Sequence, residues 1–165
     1  MKKNIKFKTA DLCDHYSDDL IIIDQQFKSY GKENSFCGKI ATIRCLNDNS
    51  KVKEILNTNG CNKVLVVDGN ASTDCALLGD MLAEAAFMNN WSGIIVNGCI
   101  RDSDVIADIG IGVFALSTIP IKSVKKGIGD VDIDISFMDV TFKPGHYIYA
   151  DLDGIIISKK ELNIK

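Results

Sequence analysis

Asp80, twenty intervening residues, then Arg101-Asp102 is the pattern in this chain that carries the most chemistry. Two carboxylates and a guanidinium at one rim can hold a hydrated divalent cation and grip an anionic substrate. Each acid follows a strand-like run and opens a helix-like run. Arg101 is the informative member, because a cation beside a helix N-terminus opposes the macrodipole at a cost of up to about 1 kcal/mol. That cost is tolerable when an anion or a metal-bound carboxylate lies between. Its planar fork also suits a carboxylate better than a lysine does. A plainer reading competes: Asp is a favoured helix N-cap, worth about 1 kcal/mol over Ala. Arg101 has its own plain reading, a surface salt bridge with Asp102 or Asp104.

The elements around these residues must bring them together. Residues 9–14 read as a helix with Thr9 as its cap, 28–35 as a polar loop, 38–45 as a strand and 51–57 as a helix. The pattern then becomes rhythmic. Val64-Leu65-Val66-Val67 is an apolar strand, 79–90 a helix, 94–96 a strand, 102–108 a short helix and 112–116 a strand. Uniformly apolar strands alternating with helices predict parallel pairing covered by helices. The last third differs, with short strands over 131–135, 139–142, 146–149 and 154–158 separated by turn signals such as Pro144-Gly145 and Asp153-Gly154. The fold class is therefore α/β, a parallel βαβ core joined to an antiparallel β portion, in one domain over residues 1–165. In a right-handed βαβ unit each helix starts near the edge where the preceding strand ended. Asp80 and Asp102 are thus expected together at the carboxyl edge, where open α/β sheets place ligands. Gly79 lets the backbone approach a ligand, and the N–H groups of Asp80, Met81 and Leu82 are expected to point outward as anion donors.

Composition narrows the function classes. With 165 residues, 46% apolar and 25% charged, the chain buries a core without covalent staples. A net charge of −3 gives no overall attraction to nucleic acid or an anionic membrane. No apolar run approaches the roughly 18–20 residues of a membrane span, and the basic start lacks a signal-peptide core. Six cysteines without a CxxC pair read as free or buried thiols of a reducing cytosol. With His15 and His146 as the sole imidazoles, neither at a ligand spacing, a zinc site is disfavoured. Cys99 reads as a buried thiol, having no histidine near it in sequence. Lys122, Lys125 and Lys126 raise a Schiff-base chemistry, but a solvated loop explains them more simply. Asp151 and Asp153 read as turn residues, His15 and His146 as surface or turn residues, and Trp91 as packing at a helix–strand junction.

Leu78-Gly79-Asp80-Met81-Leu82-Ala83 and Val96-Asn97-Gly98-Cys99-Ile100-Arg101-Asp102 resemble the RraA-like family. That family comprises class II 4-hydroxy-4-methyl-2-oxoglutarate aldolases and the regulators of ribonuclease activity A. The likeness extends through Val64-Leu65-Val66-Val67-Asp68-Gly69, Ile109-Gly110-Ile111-Gly112, Lys126-Gly127-Ile128-Gly129 and Tyr149-Ala150-Asp151-Leu152-Asp153-Gly154-Ile155. It implies a swivelling β/β/α fold and a trimer, sometimes a hexamer, with pockets near subunit boundaries. The aldolase branch carries an acid, twenty residues, then Arg-Asp. By that resemblance Gly79, Asp80, Met81 and Leu82 form the substrate loop, Arg101 grips substrate, Asp80 and Arg101 are catalytic, and Asp102 ligates the metal. The cofactor implied is Mg²⁺, with Mn²⁺ also serviceable. The implied reaction is cleavage of 4-hydroxy-4-methyl-2-oxoglutarate to two pyruvates, with oxaloacetate decarboxylation as a side activity. The alternative is a non-enzymatic regulator that binds an RNA-degrading endoribonuclease. The chain departs from the family in Asn70-Ala71-Ser72-Thr73, where a glycine-richer turn is usual. A quinone-pathway methyltransferase activity, also attached to the family, is not favoured, because Asp68-Gly69-Asn70-Ala71 is too poor in glycine for a nucleoside loop.

Overall fold

The computed structural model describes residues 6–24 and 26–164. The first half runs α1 Thr9–Tyr16, β1 Leu20–Ile23, β2 Lys28–Ser29, β3 Phe36–Arg44, α2 Ser50–Leu56, β4 Val64–Asp68 and β5 Ala76–Leu78. The second half runs α3 Asp80–Met88, β6 Gly93–Ile100, α4 Ser103–Ile106, β7 Gly112–Thr118, β8 Asp130–Val131, β9 Ile135–Phe137, β10 Val140–Phe142, β11 Tyr147–Ala150 and β12 Ile155–Ser158.

β3, β4, β6 and β7 pair in parallel in that order, with Ile40 opposite Val64, Val64 opposite Gly93 and Gly93 opposite Gly112. β3 also pairs antiparallel with β11, which continues through β12 to β1. The strand order is therefore β1-β12-β11-β3-β4-β6-β7-β2, with β5 on β6 and β8 on β3. This is the mixed parallel and antiparallel architecture that the alternation of strands and helices predicts.

Period-2 alternation explains the layers. Ala41, Ile43, Leu65, Val67, Ile94 and Val96 face the helices and pack with Val52, Leu56, Ala83, Ala86 and Ile106. The intervening residues Ile40, Val64, Val66, Ile95 and Phe114 face the antiparallel part and pack with Phe36, Phe142, Ile148 and Ile157. A third cluster seats α1 through Leu12 on Tyr149, Ile156 and Leu162. The parallel strands are thus apolar on both faces because both are covered. Phe36 spans the start of β6 and β7, where a Cβ at Gly93 would lie 2.2 Å and one at Gly112 2.0 Å from its ring. Among the described residues no helix is long and apolar enough to cross a membrane.

Several expectations need correction. Thr9 does not cap α1: its amide and hydroxyl both donate to the Asp151 carboxylate, at 2.7 Å each. Asp151 also takes the N–H groups of Asp153 and Gly154, so the turn residue doubles as the dock for α1. The polar loop over 28–35 contains β2, and the run over 131–135 is broken into β8 and β9. β1 and β5 are strands that the periodicity does not suggest. Helix α3 turns Ala83 and Ala86 inward and leaves Met81 80% exposed.

Candidate active site

β5 is the hinge of the site. It pairs in parallel with the end of β6, with an irregular register between Ala76 and Leu78. The Leu78 carbonyl accepts the Arg101 N–H at 2.9 Å, which ties the Leu78-Gly79-Asp80 segment to Arg101-Asp102. Two motifs distant in sequence thus meet where this pairing ends.

Asp102 stands at the N-cap position of α4 with a left-handed backbone, φ 57° and ψ 38°, which Asp tolerates better than most residues. Its carboxylate makes no cap bond to α4. Instead Oδ2 accepts the Asp80 N–H at 3.4 Å and lies 3.5 Å from Arg101 Nε. Asp80 is the first residue of α3 and not its cap, which is Gly79. Asp80 Oδ1 accepts the Met81 N–H at 2.7 Å. Neither acid is a side-chain N-cap of the helix it opens, and both carboxylates accept first-turn amides of α3.

Gly79 makes this crowding sterically feasible. A Cβ there would stand 2.8 Å from Asp102 Oδ2 and 3.5 Å from Arg101 Nε. Its backbone is extended, so the need is for space and not for an unusual φ. The Arg101 and Asp102 side chains are 40% and 36% exposed, so solutes can reach them. Leu82 is half-buried against the helix-side core, and Met81 projects over the rim. Two of the three amides expected to point outward are thus engaged by the chain's own carboxylates.

The donor set defines what metal the site can hold. Among the described residues no three His, Cys, Asp or Glu side chains converge on a common point. Asp102 offers one hard, solvent-accessible carboxylate, which fits a cation that keeps most of its waters and does not fit a protein-caged ion. Mg²⁺ has that character, and Mn²⁺ shares it.

The remaining candidates lie outside this cluster. Cys99 is 1% exposed, and burial pushes its thiol up, against a nucleophilic role. Lys122, Lys125 and Lys126 are exposed, and the Lys126 amide is bound to Asp48. Trp91 is buried and donates to the Thr58 carbonyl at 3.1 Å. His15 Nδ1 contacts the Asp11 carbonyl at 2.7 Å on the surface. The Asp68-Gly69-Asn70-Ala71 turn closes on itself: Asp68 Oδ1 accepts Asn70 N–H and Asn97 Nδ2, while the amides of Gly69 and Ala71 go to the Asn97 carbonyl. A cavity of about 780 Å³ lies at the opposite edge of the parallel strands, lined by Gly38, Lys63, Ser92 and Gly110 among others. The acids and Arg101 are not part of it.

A parallel sheet with helices on one face, antiparallel strands on the other and an acid–arginine cluster beside β5 and β6 defines an α/β protein of the swivelling β/β/α kind. The chain belongs to the RraA-like family, whose profile, described as Aldolase/RraA, matches residues 9–157. It is 51% identical over 158 residues to a protein of Aromatoleum aromaticum that is provisionally named a 4-hydroxy-4-methyl-2-oxoglutarate aldolase, covering 96% of this chain and 99% of that one. A protein of Hahella chejuensis with the same provisional name is 51% identical over 160 residues, covering 97% of this chain and 98% of that one. Among solved structures, the chain superposes at a TM-score of 0.92 on the RNA-processing inhibitor RraA from Thermus thermophilis, with 35% identity and 96% of each chain covered. A Geobacillus kaustophilus structure described as an S-adenosylmethionine:2-dimethylmenaquinone methyltransferase superposes at 0.93, with 46% identity over 96% of this chain and 98% of that one.

Proposed function

We propose that the protein is a divalent-metal-dependent lyase that cleaves 4-hydroxy-4-methyl-2-oxoglutarate to two pyruvates, with oxaloacetate decarboxylation as a second activity. The observation that carries this reading is the convergence of Asp102 and Arg101 on the start of α3, with the Asp102 carboxylate turned away from the helix it precedes. The provisional aldolase names of relatives about half identical over nearly the whole chain support it.

In this reading Asp102 is the residue that would hold the cation. Bound there, the cation supplies Lewis-acid stabilisation of the negative charge that develops as the carbon–carbon bond breaks, worth several kcal/mol. Arg101 holds the substrate's anionic end, and the Asp80 amide, whose contact with Asp102 is long at 3.4 Å, donates to the same oxygens. Asp80 takes the proton from the 4-hydroxyl, directly or through a water. The C3–C4 electron pair then passes to the 2-oxo half, which leaves as the enolate of pyruvate, while the other half leaves as pyruvate. Protonation of the enolate carbon completes the reaction. Loss of carbon dioxide from oxaloacetate reaches the same enolate.

Methyl transfer is less well supported, because the amides of the turn after β4 are already satisfied within the turn and by Asn97. A protein-binding regulator of RNA decay is favoured by the likeness to the Thermus RNA-processing inhibitor. That role has no need of the Asp102 carboxylate. From the family resemblance we infer a trimer or a multiple of it, and the exposed Met88 and Val105 give α3 and α4 apolar surface for a contact between copies.

Pyruvate release from each substrate, with Mg²⁺ and after chelation, tests the proposal. Release that stops on chelation and returns with Mg²⁺ is expected. No release from either substrate, or trapping of substrate on a lysine by borohydride, would overturn it.

A further inference from the structure

We propose that the Asp102 carboxylate is shared between two positions. In one it lies over Gly79, facing Arg101 Nε and the Asp80 amide. Binding of a divalent cation draws it off, and so frees Arg101 and that amide for the anionic end of the substrate. This inference rests on the metal-dependent reading above and adds an order of events to it.

The argument starts from competition. Arg101 and the Asp80 amide are groups that an anionic substrate needs, and a carboxylate of the same chain faces the Nε of the one and accepts from the other. A substrate carboxylate entering beside Arg101 Nε must therefore displace Asp102 or meet its charge. The hold on Asp102 is loose: contacts of 3.4 and 3.5 Å exceed the roughly 2.7–2.9 Å of a tight charge-assisted hydrogen bond. The pair is also partly exposed, where ion pairs are weak and easily exchanged.

The backbone makes such a movement inexpensive for the fold. The left-handed conformation at Asp102 aims its carboxylate away from α4, with which it makes no cap bond. The Asp102 carbonyl alone serves that helix, accepting the Ile106 N–H at 3.0 Å. A side-chain rotation thus releases Arg101 without unravelling α4. Gly79 supplies the resting space, since no side chain stands between its backbone and Oδ2. Because the cation and the anion each favour the displaced carboxylate, each must raise the other's affinity by the same factor.

The test uses metal-stripped full-length protein and calorimetry with two probes, oxalate alone and Mn²⁺ alone. Without metal, Asp102→Asn is expected to bind oxalate about fivefold or more tighter than the wild type. Asp104→Asn, which removes an exposed charge two residues away, is expected to change it by less than about twofold. Equal gains in the two variants would mean that only net charge matters, and would overturn the proposal. Arg101→Ala is expected to bind Mn²⁺ about fivefold or more tighter than the wild type, because a competitor for the carboxylate has gone. Unchanged or weaker binding would also overturn it. A wild type that binds no Mn²⁺ at all contradicts the metal-dependent reading itself, so the two failures are told apart.

Discussion

Asp102 shows how much of a site depends on one pair of backbone angles. A left-handed φ of 57° turns its carboxylate from the helix it precedes towards the helix that Asp80 begins. Gly79 is the complement of that choice, and its substitution is a sensitive probe. The extended backbone of Gly79 accepts alanine, but the new Cβ would press to 2.8 Å on Asp102 Oδ2, the end of a flexible side chain. Gly79→Ala is therefore expected to leave the melting temperature nearly unchanged while lowering turnover about tenfold or more through misplaced groups. Steady-state kinetics beside a thermal melt checks this, and wild-type turnover would place the Asp102 carboxylate outside the reacting geometry. The residue types were legible in the sequence, since an acid and an Arg-Asp pair each stood where a strand gave way to a helix. The orientation of Asp102 was not, because the cap of α4 offered by local propensity gives way to contacts with Arg101 and the start of α3 that no local pattern encodes.

Short elements carry the geometry at the next scale. β5 is three residues long, yet its Leu78 carbonyl fixes Arg101 relative to α3. An apolar triplet of this length is within the range of ordinary loop sequence, which is why periodicity passes over it. Asp48 performs a comparable service at α2. Burial works to raise its carboxyl pKa, but hydrogen bonds from the Ser50 hydroxyl and amide and from the amides of Ile128 and Lys126 outweigh it and hold the pKa well below the usual carboxylate range. Asp48→Ala is expected to cost about 2–4 kcal/mol by leaving those donors unpaired. In a chain of this size that corresponds to a fall in melting temperature of about 2–4 °C per kcal/mol. A folded pKa below the unfolded one contributes stability above about pH 4, and that contribution fades as pH falls towards the folded value. The gap between wild type and variant should therefore narrow below about pH 4 in denaturant titrations. A gap that widens on acidification would refute the clamp.

For the whole molecule, the rhythm of the apolar runs 64–67, 94–96 and 112–116 announced a parallel sheet, because strands covered on both faces are apolar along their buried length. The edge strand β1 was harder to see, since Ile21 and Ile22 are 40% and 65% exposed and show no clean alternation. How the antiparallel part folds over the parallel part was likewise absent from the local pattern, and came from the family resemblance. The join depends on Phe36, whose ring fills the space left by Gly93 and Gly112. Phe36→Ala is expected to cost about 3–5 kcal/mol, measurable by chemical denaturation. A cost within about 0.5 kcal/mol, the range of ordinary surface changes, would show that this seam does not hold the layers together.

The proposed function places carboxylate and guanidinium on one substrate at the rim formed by β5, β6 and the start of α3. The most direct measurement is the rate of pyruvate formation from 4-hydroxy-4-methyl-2-oxoglutarate with Mg²⁺ for the wild type, Asp102→Ala and Arg101→Ala, each with its melting curve. The account predicts an active wild type, a loss of about 100-fold or more in each variant, and melting curves that stay close together. Equal rates in all three proteins would contradict it.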